Sequence, residues 1–564
     1  MKSLTGLDAT FLYLETPEMP MHVGSFNLCA LPEGFKGSFH KAVLEHIGRR
    51  MHLAPVFNRK LVFMPLDLGH PLWVEADSVD IGFHIRRAGV AKKGAVPITL
   101  AEAHKLCAQL HGELIDRNFP LWEFYIFDRI KLPDGKIVGG FFSKIHHAAL
   151  DGKGAVLLAN ALLDISATPR DVPPPDPSKR RMRESDLKIG KMIGSVFSSS
   201  LGQLVKAVKS LPAAAATFGG TLVKQSTGSS IAGVKAKMPM KLAPPTPFNT
   251  GITKNRVFVT ATVPLAECKA MGKAVGGSFN DIVLWICATA LRNYLTQHHS
   301  LPKKSLVAAM PVSLRDAGAL DATNLGNQVS MTLVELGTHL AHPLKRMNAI
   351  MASTAKVKTS MQSLKGLLPT DYPSLLAPWL VGGAAKMALN AYGKSGMAAR
   401  LPMVANLVIS NVPGTPVPLY LAGAEFLSFH PLSIIMHGLG LNITIQTYAG
   451  HVDFGIIADK RALPHATDLA KAIEAAFAEA QALLASTQAT QTIETPFKEV
   501  LKKSVAQVTE KTRLVKPPSV NARPHRDTVL KSKAAPKSNA PNHGKTLVKN
   551  TSRSKTSKRP ITQP

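Results

Sequence analysis

The 564-residue sequence has no run of about 18 consecutive apolar residues, the length that a membrane-spanning helix requires. Its first residues, MKSLTGLDATFLYLE, also lack the basic start and the long apolar stretch of a signal peptide. Cysteine is scarce, and no two cysteines are close enough in sequence to indicate a disulfide framework or a thiolate metal site. The four cysteines are Cys29, Cys107, Cys268 and Cys287. We therefore expect a cytoplasmic protein with four reduced thiols.

Acidic residues are also few, since 37 Asp and Glu stand against 67 Lys and Arg and leave a formal net charge of +30. Residues 501–564 hold 16 Lys and Arg against 2 Asp and Glu, so this segment alone carries +14. It is poor in aromatic residues and cannot bury enough apolar area to offset its chain entropy, which predicts a disordered tail. Such a tail can contact anionic lipid or nucleic acid, or remain solvated without a specific partner. We expect nucleic-acid binding only through this tail, if at all.

The rest of the chain has the composition of a large globular protein, because 45% of all residues are hydrophobic and the mean hydropathy is +0.07. Short apolar runs alternate with helical patterns, which predicts an α/β fold. Prolines cluster in ATPRDVPPPDPSKRRMRES (167–185) and again in KLAPPTPFNTG (241–251), and both stretches indicate linkers. We predict an N-terminal domain over 1–170, a linker over 171–248, a C-terminal domain over 249–487 and a basic tail over 488–564.

Within the linker, residues 186–212 have apolar side chains near a 3.6-residue period with four lysines among them. A basic amphipathic helix of this kind can lie on an anionic membrane surface. An apolar helix face also commonly packs on the protein's own core, and the sequence leaves this alternative open.

The stretch KIHHAALDG (144–152) is the candidate for chemistry. LWEFYIFDRI (121–130) and KIVGGFFSKI (136–145) flank the turn LPDG and predict a hairpin, whose second strand leads into the two histidines. The residues from Gly152 onward have helical spacing. The histidine pair is therefore expected where a strand ends and a helix begins, a position that commonly holds reactive groups on a rigid scaffold.

Three interpretations of His146 and His147 compete. Adjacent residues of a strand point to opposite faces, so the two rings rarely bind one metal ion, and the sequence has no HExxH motif or Cys/His cluster. The pair can also be structural. In the acid/base interpretation, one imidazole faces a cleft while the other braces the turn. Asp151 would then hold the loop by pairing with a guanidinium, and Gly152 would permit its tight geometry.

No GxSxG motif is present, which disfavours a covalent acyl-enzyme and favours direct transfer between two bound substrates. HHAALDG fits the HHxxxDG signature of chloramphenicol acetyltransferases, peptide-synthetase condensation domains and carnitine acyltransferases. With further blocks, the chain resembles the bacterial wax ester synthase/acyl-CoA:diacylglycerol acyltransferase family over about residues 4–487. The blocks are LTGLDATFLYLETPEMPMHVG (4–24), PLWE (120–123), SFNDIVL (278–284), MPVSLR (310–315), NLGNQVS (324–330), ISNVPG (409–414) and GLNITIQTYAGHVDFGIIAD (440–459).

The resemblance implies two chloramphenicol-acetyltransferase-like domains around a central channel. It implies transfer of a long fatty acyl group from acyl-CoA, as co-substrate and without a cofactor or metal, to diacylglycerol or a long-chain fatty alcohol. Both acceptors are lipids, so we expect peripheral contact with the inner face of the membrane or with lipid inclusions, through residues 186–212 and the tail. A condensation-type enzyme acting on carrier-bound acyl groups, or a non-enzymatic lipid- or nucleic-acid-binding protein, is the alternative.

By the same resemblance, His147 is the general base, His146 its supporting neighbour, Asp151 the structural aspartate and Gly152 the glycine of the motif. As the partner of Asp151 we predict Arg315, from its type and its place in PVSLR.

Two further blocks carry expected site residues. Pro120, Leu121 and Trp122 match a block that shapes a substrate pocket, although core packing is the alternative for Leu121 and Trp122. Asn280 and Asp281 match a block at a helix start, where a helix cap is the alternative. Asn280 is our candidate donor to the oxyanion.

Overall fold

The computed structural model describes residues 2–63, 70–89, 96–150, 152–176, 183, 185, 242–313, 329–364 and 403–486. All of them lie in one compact unit, Met1–Gln491. The predicted amphipathic segment 186–212, the tail 488–564, Asp151 and Arg315 lie outside the described residues.

The described residues form α-helices and strands in alternation, as the sequence predicts. The helices are α1 (Gly6–Leu14), α2 (Phe39–Gly48), α3 (Ile81–His84), α4 (Leu100–His111), α5 (Gly152–Leu162), α6 (Leu265–Val275), α7 (Phe279–Gln297), α8 (Pro343–Leu364) and α9 (466–486). The first strands are β1 (Lys2–Ser3), β2 (His22–Ala30), β3 (Arg59–Val62), β4 (Leu72–Glu75), β5 (Ile85–Ala88), β6 (Ile98–Thr99), β7 (Trp122–Lys131) and β8 (Ile137–His146). The later strands are β9 (Arg256–Pro264), β10 (Val307–Ser313), β11 (Val329–Glu335), β12 (Leu407–Val412), β13 (Tyr420–Leu421), β14 (Ala424–Phe426), β15 (His430–Leu432), β16 (Leu441–Tyr448) and β17 (His451–Asp459).

The strands build three sheets. A small sheet has the order β1-β4-β3, and an eight-stranded sheet has the order β13-β14-β2-β8-β7-β5 with β15 paired to β2 and β6 paired to β7. A six-stranded mixed sheet in the C-terminal half has the order β11-β10-β12-β16-β17-β9. The predicted α/β class is confirmed.

The hairpin that leads to the histidine pair is confirmed almost residue for residue. Strands β7 and β8 pair in antiparallel fashion, with Trp122 opposite Ile145 and Tyr125 opposite Phe142. Gly135 in the connecting turn has φ +88°, a conformation that glycine adopts without steric cost. Because β8 lies between β2 and β7, the strand that ends at His146 is held from both sides.

Helix α7 is the centre of the C-terminal core. Ser278 and Asp281 form a reciprocal capping box at its start, which satisfies backbone N–H groups that the first turn leaves unpaired. Most of its side chains are buried among residues of the six-stranded sheet and of α6, α8 and α9. A helix that is apolar nearly all round requires such a buried position.

The two halves of the chain exchange structure. Strands β14 and β15 come from the C-terminal half, yet both pair with β2, with Phe426 opposite Cys29 and His430 opposite Phe26. The absence of a side chain at Gly455 of β17 allows β15 to pass close to it, because a Cβ on Gly455 would lie 1.7 Å from the carbonyl oxygen of Pro431. The sheet that contains β8 is therefore completed by residues more than 270 positions away in the sequence. Periodicity within each half of the chain does not indicate this pairing.

Within the described residues, no single helix is long and apolar enough to cross a bilayer, and only α6 and α7 taken together, bent by 101°, meet the length and composition test.

Candidate active site

The histidine pair lies where β8 gives way to a short 3-10 helix, His147–Ala149. His146 has extended backbone angles and caps this turn, because its Nδ1 accepts a hydrogen bond of 3.1 Å from the backbone N–H of Ala148. The backbone N–H of His146 donates to the carbonyl of Leu121, and that of His147 donates to the carbonyl of Met21. The rings differ in environment, since His146 is fully buried and His147 is half-buried.

His146 is braced by a carboxylate that the sequence did not single out. Its Nε2 lies 3.1 Å from Oε2 of Glu15, although off the ideal hydrogen-bond angle. Oε1 of Glu15 in turn accepts bonds of 3.1 and 2.7 Å from Nε and Nη2 of Arg117. Burial raises the pKa of Glu15, but His146, Arg117 and the backbone N–H of Met21 outweigh this and lower it to about 2. Glu15 is therefore a charged group at neutral pH, held in place by three partners.

These contacts assign the proton on His146. Because Nδ1 accepts from the backbone N–H of Ala148, it carries no proton, and the proton of the neutral ring resides on Nε2, facing Glu15. Nδ1 of His146 is thus committed to the backbone, and Nε2 faces the carboxylate of Glu15. His146 fits the role of a brace for the turn.

His147 stacks its ring on that of Phe11 from α1, with a centroid distance of 3.9 Å and an interplanar angle of 15°. The pKa of His147 is lowered to about 4, mainly by burial; the ring's interaction with its own backbone opposes this effect, and the nearby His146 adds to it. The imidazole is therefore neutral at neutral pH. A neutral, half-buried imidazole that is held by its backbone and by one ring face is able to accept a proton from a bound hydroxyl.

Helix α1 thus supports both histidines. Phe11 contacts His147, and Glu15, at the C-terminal cap of the same helix, contacts His146. Sequence reasoning missed Phe11, Glu15 and Arg117. The signal available was a single acidic residue after the apolar run of LDATFLYLE, and nothing local connects it to a histidine 131 positions later.

A buried ion pair lies two residues earlier on β8. Nζ of Lys144, two residues before His146 and on the same strand face, lies 2.7 Å from Oε2 of Glu123 and donates to the carbonyls of Leu110 and Glu113. Tyr125 donates to the same carboxylate oxygen. Burial lowers the pKa of Lys144, while Glu123 raises it. These bonds satisfy a fully buried ammonium group and fix β8 close to its end.

Pro120, Leu121 and Trp122 are all buried. Trp122 donates from Nε1 to the carbonyl of Phe57 at 3.1 Å, and Leu121 packs in a cluster that includes Ala148. These contacts agree with the alternative that Leu121 and Trp122 pack in the core. Their role in shaping a substrate pocket stays a prediction.

Asn280 and Asp281 occupy the first turn of α7. Oδ2 of Asp281 accepts from the backbone N–H and hydroxyl of Ser278, and Oδ1 accepts from the hydroxyl of Thr354, so this carboxylate is committed to the helix cap. Asn280 accepts a long bond of 3.4 Å from Nδ2 of Asn411. Its role as an oxyanion donor stays a prediction.

Gly152, the last residue of the motif, begins α5. The predicted pairing of Asp151 with Arg315 involves residues outside the described ranges. Among the residues that the structure does describe, no three His, Cys, Asp or Glu side chains are grouped as ligands of a metal ion.

Comparison with known proteins gives matches over most of the chain. The model for the wax ester synthase/diacylglycerol acyltransferase catalytic domain matches residues 4–283, and the model for the WS/DGAT C-terminal domain matches residues 325–481. A probable diacylglycerol O-acyltransferase of Mycobacterium tuberculosis is 32% identical over 469 residues, which cover 81% of this chain and 94% of that protein. The O-acyltransferase WSD of Acinetobacter baylyi is 30% identical over 482 residues, which cover 84% of this chain and 96% of that protein.

A solved structure is also similar. The wax ester synthase/diacylglycerol acyltransferase from Marinobacter aquaeolei VT8 superposes with a TM-score of 0.60 at 26% sequence identity, and the match covers 86% of this chain and all of that chain.

Proposed function

This chain belongs to the wax ester synthase/diacylglycerol acyltransferase family, and from that premise we propose that His147 is the general base of its reaction. The chain is an O-acyltransferase, which moves a fatty acyl group from acyl-CoA to diacylglycerol or to a long-chain alcohol.

The observation that carries the proposal is the division between the two rings. Nδ1 of His146 accepts from the backbone of Ala148, and its Nε2 lies 3.1 Å from Oε2 of the charged Glu15, so this ring is held between two protein groups. His147 is held instead by its backbone and by the stack on Phe11, and it is neutral at neutral pH. Of the pair, His147 is therefore the ring that can exchange a proton with a substrate.

In the proposed reaction, His147 accepts the proton of the bound hydroxyl while the hydroxyl oxygen attacks the thioester carbonyl. The new C–O bond forms and the C–S bond breaks through a tetrahedral oxyanion, and the imidazolium then returns the proton to the CoA thiolate. General-base help contributes about 10²–10⁴-fold, so the remaining acceleration comes from aligning two substrates and from donors to the oxyanion. Asn280 is the proposed donor; its contact through Oδ1 turns its NH₂ group away from Asn411.

The test is a thiol-release assay with palmitoyl-CoA and, in separate reactions, hexadecanol and diacylglycerol. His147→Ala should lower kcat by about 10²–10⁴-fold with an unchanged melting temperature, because the ring is only half-buried and its backbone bond to Met21 remains. His339→Ala makes the same chemical change at an exposed position and serves as the matched control.

Full activity in folded His147→Ala would refute the assignment of the base. If wild-type protein releases no thiol from free acyl-CoA with either acceptor, a carrier-bound donor or a non-enzymatic role becomes the better interpretation. The ratio of the two wild-type rates identifies the preferred acceptor.

A further inference from the structure

A cavity of about 790 Å³ lies at the C-terminal end of α5, away from the histidine pair. It is open to solvent on one side and is bordered by the end of α2, the residues that follow α2, and the proline-containing segment 169–175. Its volume is within the range of small-molecule sites.

The cavity is rich in cationic side chains. Arg49, Arg50 and Arg170 line it together with His46 and His52, while Asp171 is its acidic lining residue. The buried Asp164, just behind the lining, binds Arg50 at 2.9 Å and Arg170 at 2.9 Å. Three guanidinium groups therefore face two carboxylates, and the site retains positive charge.

Arg50, Arg170 and His46 also have structural partners. Arg170 donates to the carbonyls of Asn160 and Leu163, and His46 contacts the carbonyl of Leu162 at 2.8 Å, so both satisfy the end of α5. Arg49 differs, because its hydrogen bond to the carbonyl of Glu45 is long, 3.4 Å, and stays within its own helix. Its guanidinium is exposed and is free to contact an anion.

His52 provides a second, independent observation. Its Nε2 atom is buried at the cavity wall without a hydrogen-bond partner among the described residues. A buried polar atom in this state normally has a partner in water or a ligand.

Helix α5 connects this cavity with the catalytic turn. It begins at Gly152, five residues after His147, and its 11 residues span about 16 Å. Val156 and Leu157 on this helix are 60% and 47% exposed although both are apolar. These two side chains offer exposed apolar surface to the methylene groups of an extended chain that runs between the two ends of the helix.

We propose that the cavity at Arg49 binds the phosphate groups at the nucleotide end of acyl-CoA. The acyl thioester then lies at His147, and the pantetheine arm follows α5 to the cavity. This inference rests on the proposed function, since it takes acyl-CoA as the donor.

The test compares two donors on the full-length enzyme. Palmitoyl-CoA carries the phosphates, whereas the palmitoyl thioester of pantetheine lacks them. Arg49→Gln should raise KM for palmitoyl-CoA about tenfold, the effect of losing one charge-assisted hydrogen bond, and should leave kcat/KM for palmitoyl-pantetheine unchanged. Lys41→Gln removes the same charge from an exposed position of the same helix and should change neither value.

Direct binding supplies the second measurement. Adenosine 3′,5′-bisphosphate should bind wild-type protein in calorimetry and bind Arg49→Gln about tenfold more weakly. An unchanged KM for palmitoyl-CoA, or an equal loss with both donors, would overturn the cavity assignment. Because wild-type turnover of palmitoyl-pantetheine depends only on the catalytic turn, its presence would leave the proposed function standing when the cavity assignment fails.

Discussion

The contact between Glu15 and His146 leads to a quantitative prediction for Glu15→Gln. In the folded protein the pKa of Glu15 is about 2, compared with the ordinary 4.5, because Arg117, His146 and the Met21 N–H favour the charged form. At 1.36 kcal/mol for each pKa unit, this difference corresponds to about 3 kcal/mol of folding free energy at neutral pH.

The loss on substitution should be close to this value. Removing one partner of a buried ion pair costs about 3–5 kcal/mol, and the lower end applies here because Arg117 is 31% exposed and keeps its bond to the carbonyl of Leu12. The folded pKa lies below the unfolded one, so the stabilisation is complete above pH 4.5 and is lost as the pH falls toward 2. At pH 3.5 the difference between the variant and wild type should shrink to about 2 kcal/mol.

Urea unfolding followed by tryptophan fluorescence measures this difference at pH 7 and pH 3.5. Glu33→Gln makes the same substitution at an exposed position and should leave the unfolding midpoint unchanged. Equal midpoints for Glu15→Gln and wild type at pH 7 would show that Glu15 does not stabilise the turn, and its role as the brace of His146 would be refuted.

Two other predictions concern the base and the membrane. Phe11→Leu removes the stack and lets water reach His147, so the pKa of His147 should rise from about 4 toward 6.5. The acidic limb of the pH profile of kcat/KM should then move to higher pH, whereas Phe11→Tyr keeps the aromatic ring and should leave this limb in place. An unmoved acidic limb in Phe11→Leu would contradict the role of the stack. Deleting residues 488–564 should reduce co-sedimentation with anionic vesicles, because this segment carries most of its charge as Lys and Arg; unchanged partitioning would exclude it as an anchor.

Two sets of polar contacts near the end of β8 hold the turn in one position and thereby fix the backbone that carries the His147 ring. Lys144 and Glu123 fix the strand, His146 and Glu15 fix the turn, and neither set requires His147 itself. The proposed base is therefore held by its backbone N–H and by the stack on Phe11, and neither of these two contacts uses a ring nitrogen.

Local sequence patterns determined the secondary structure around the site. Alternation and the turn residues predicted the hairpin of β7 and β8, helical spacing predicted α5, and the apolar run after Ser278 predicted α7. The HHxxxDG motif, with the other blocks, predicted the family. These features depend on neighbours within a few residues, so they can be read along the chain.

Only the tertiary structure decided which side chains support the histidines. Glu15 and Arg117 are 102 positions apart, and charge type alone does not identify one partner among the many arginines of this chain. The sequence instead predicted Asp151 and Arg315 as the bracing pair, and that pairing stays a prediction. The contribution of β14 and β15 to the sheet of the N-terminal half was likewise decided by packing, because long-range strand pairing depends on which edges and apolar faces meet in the folded chain.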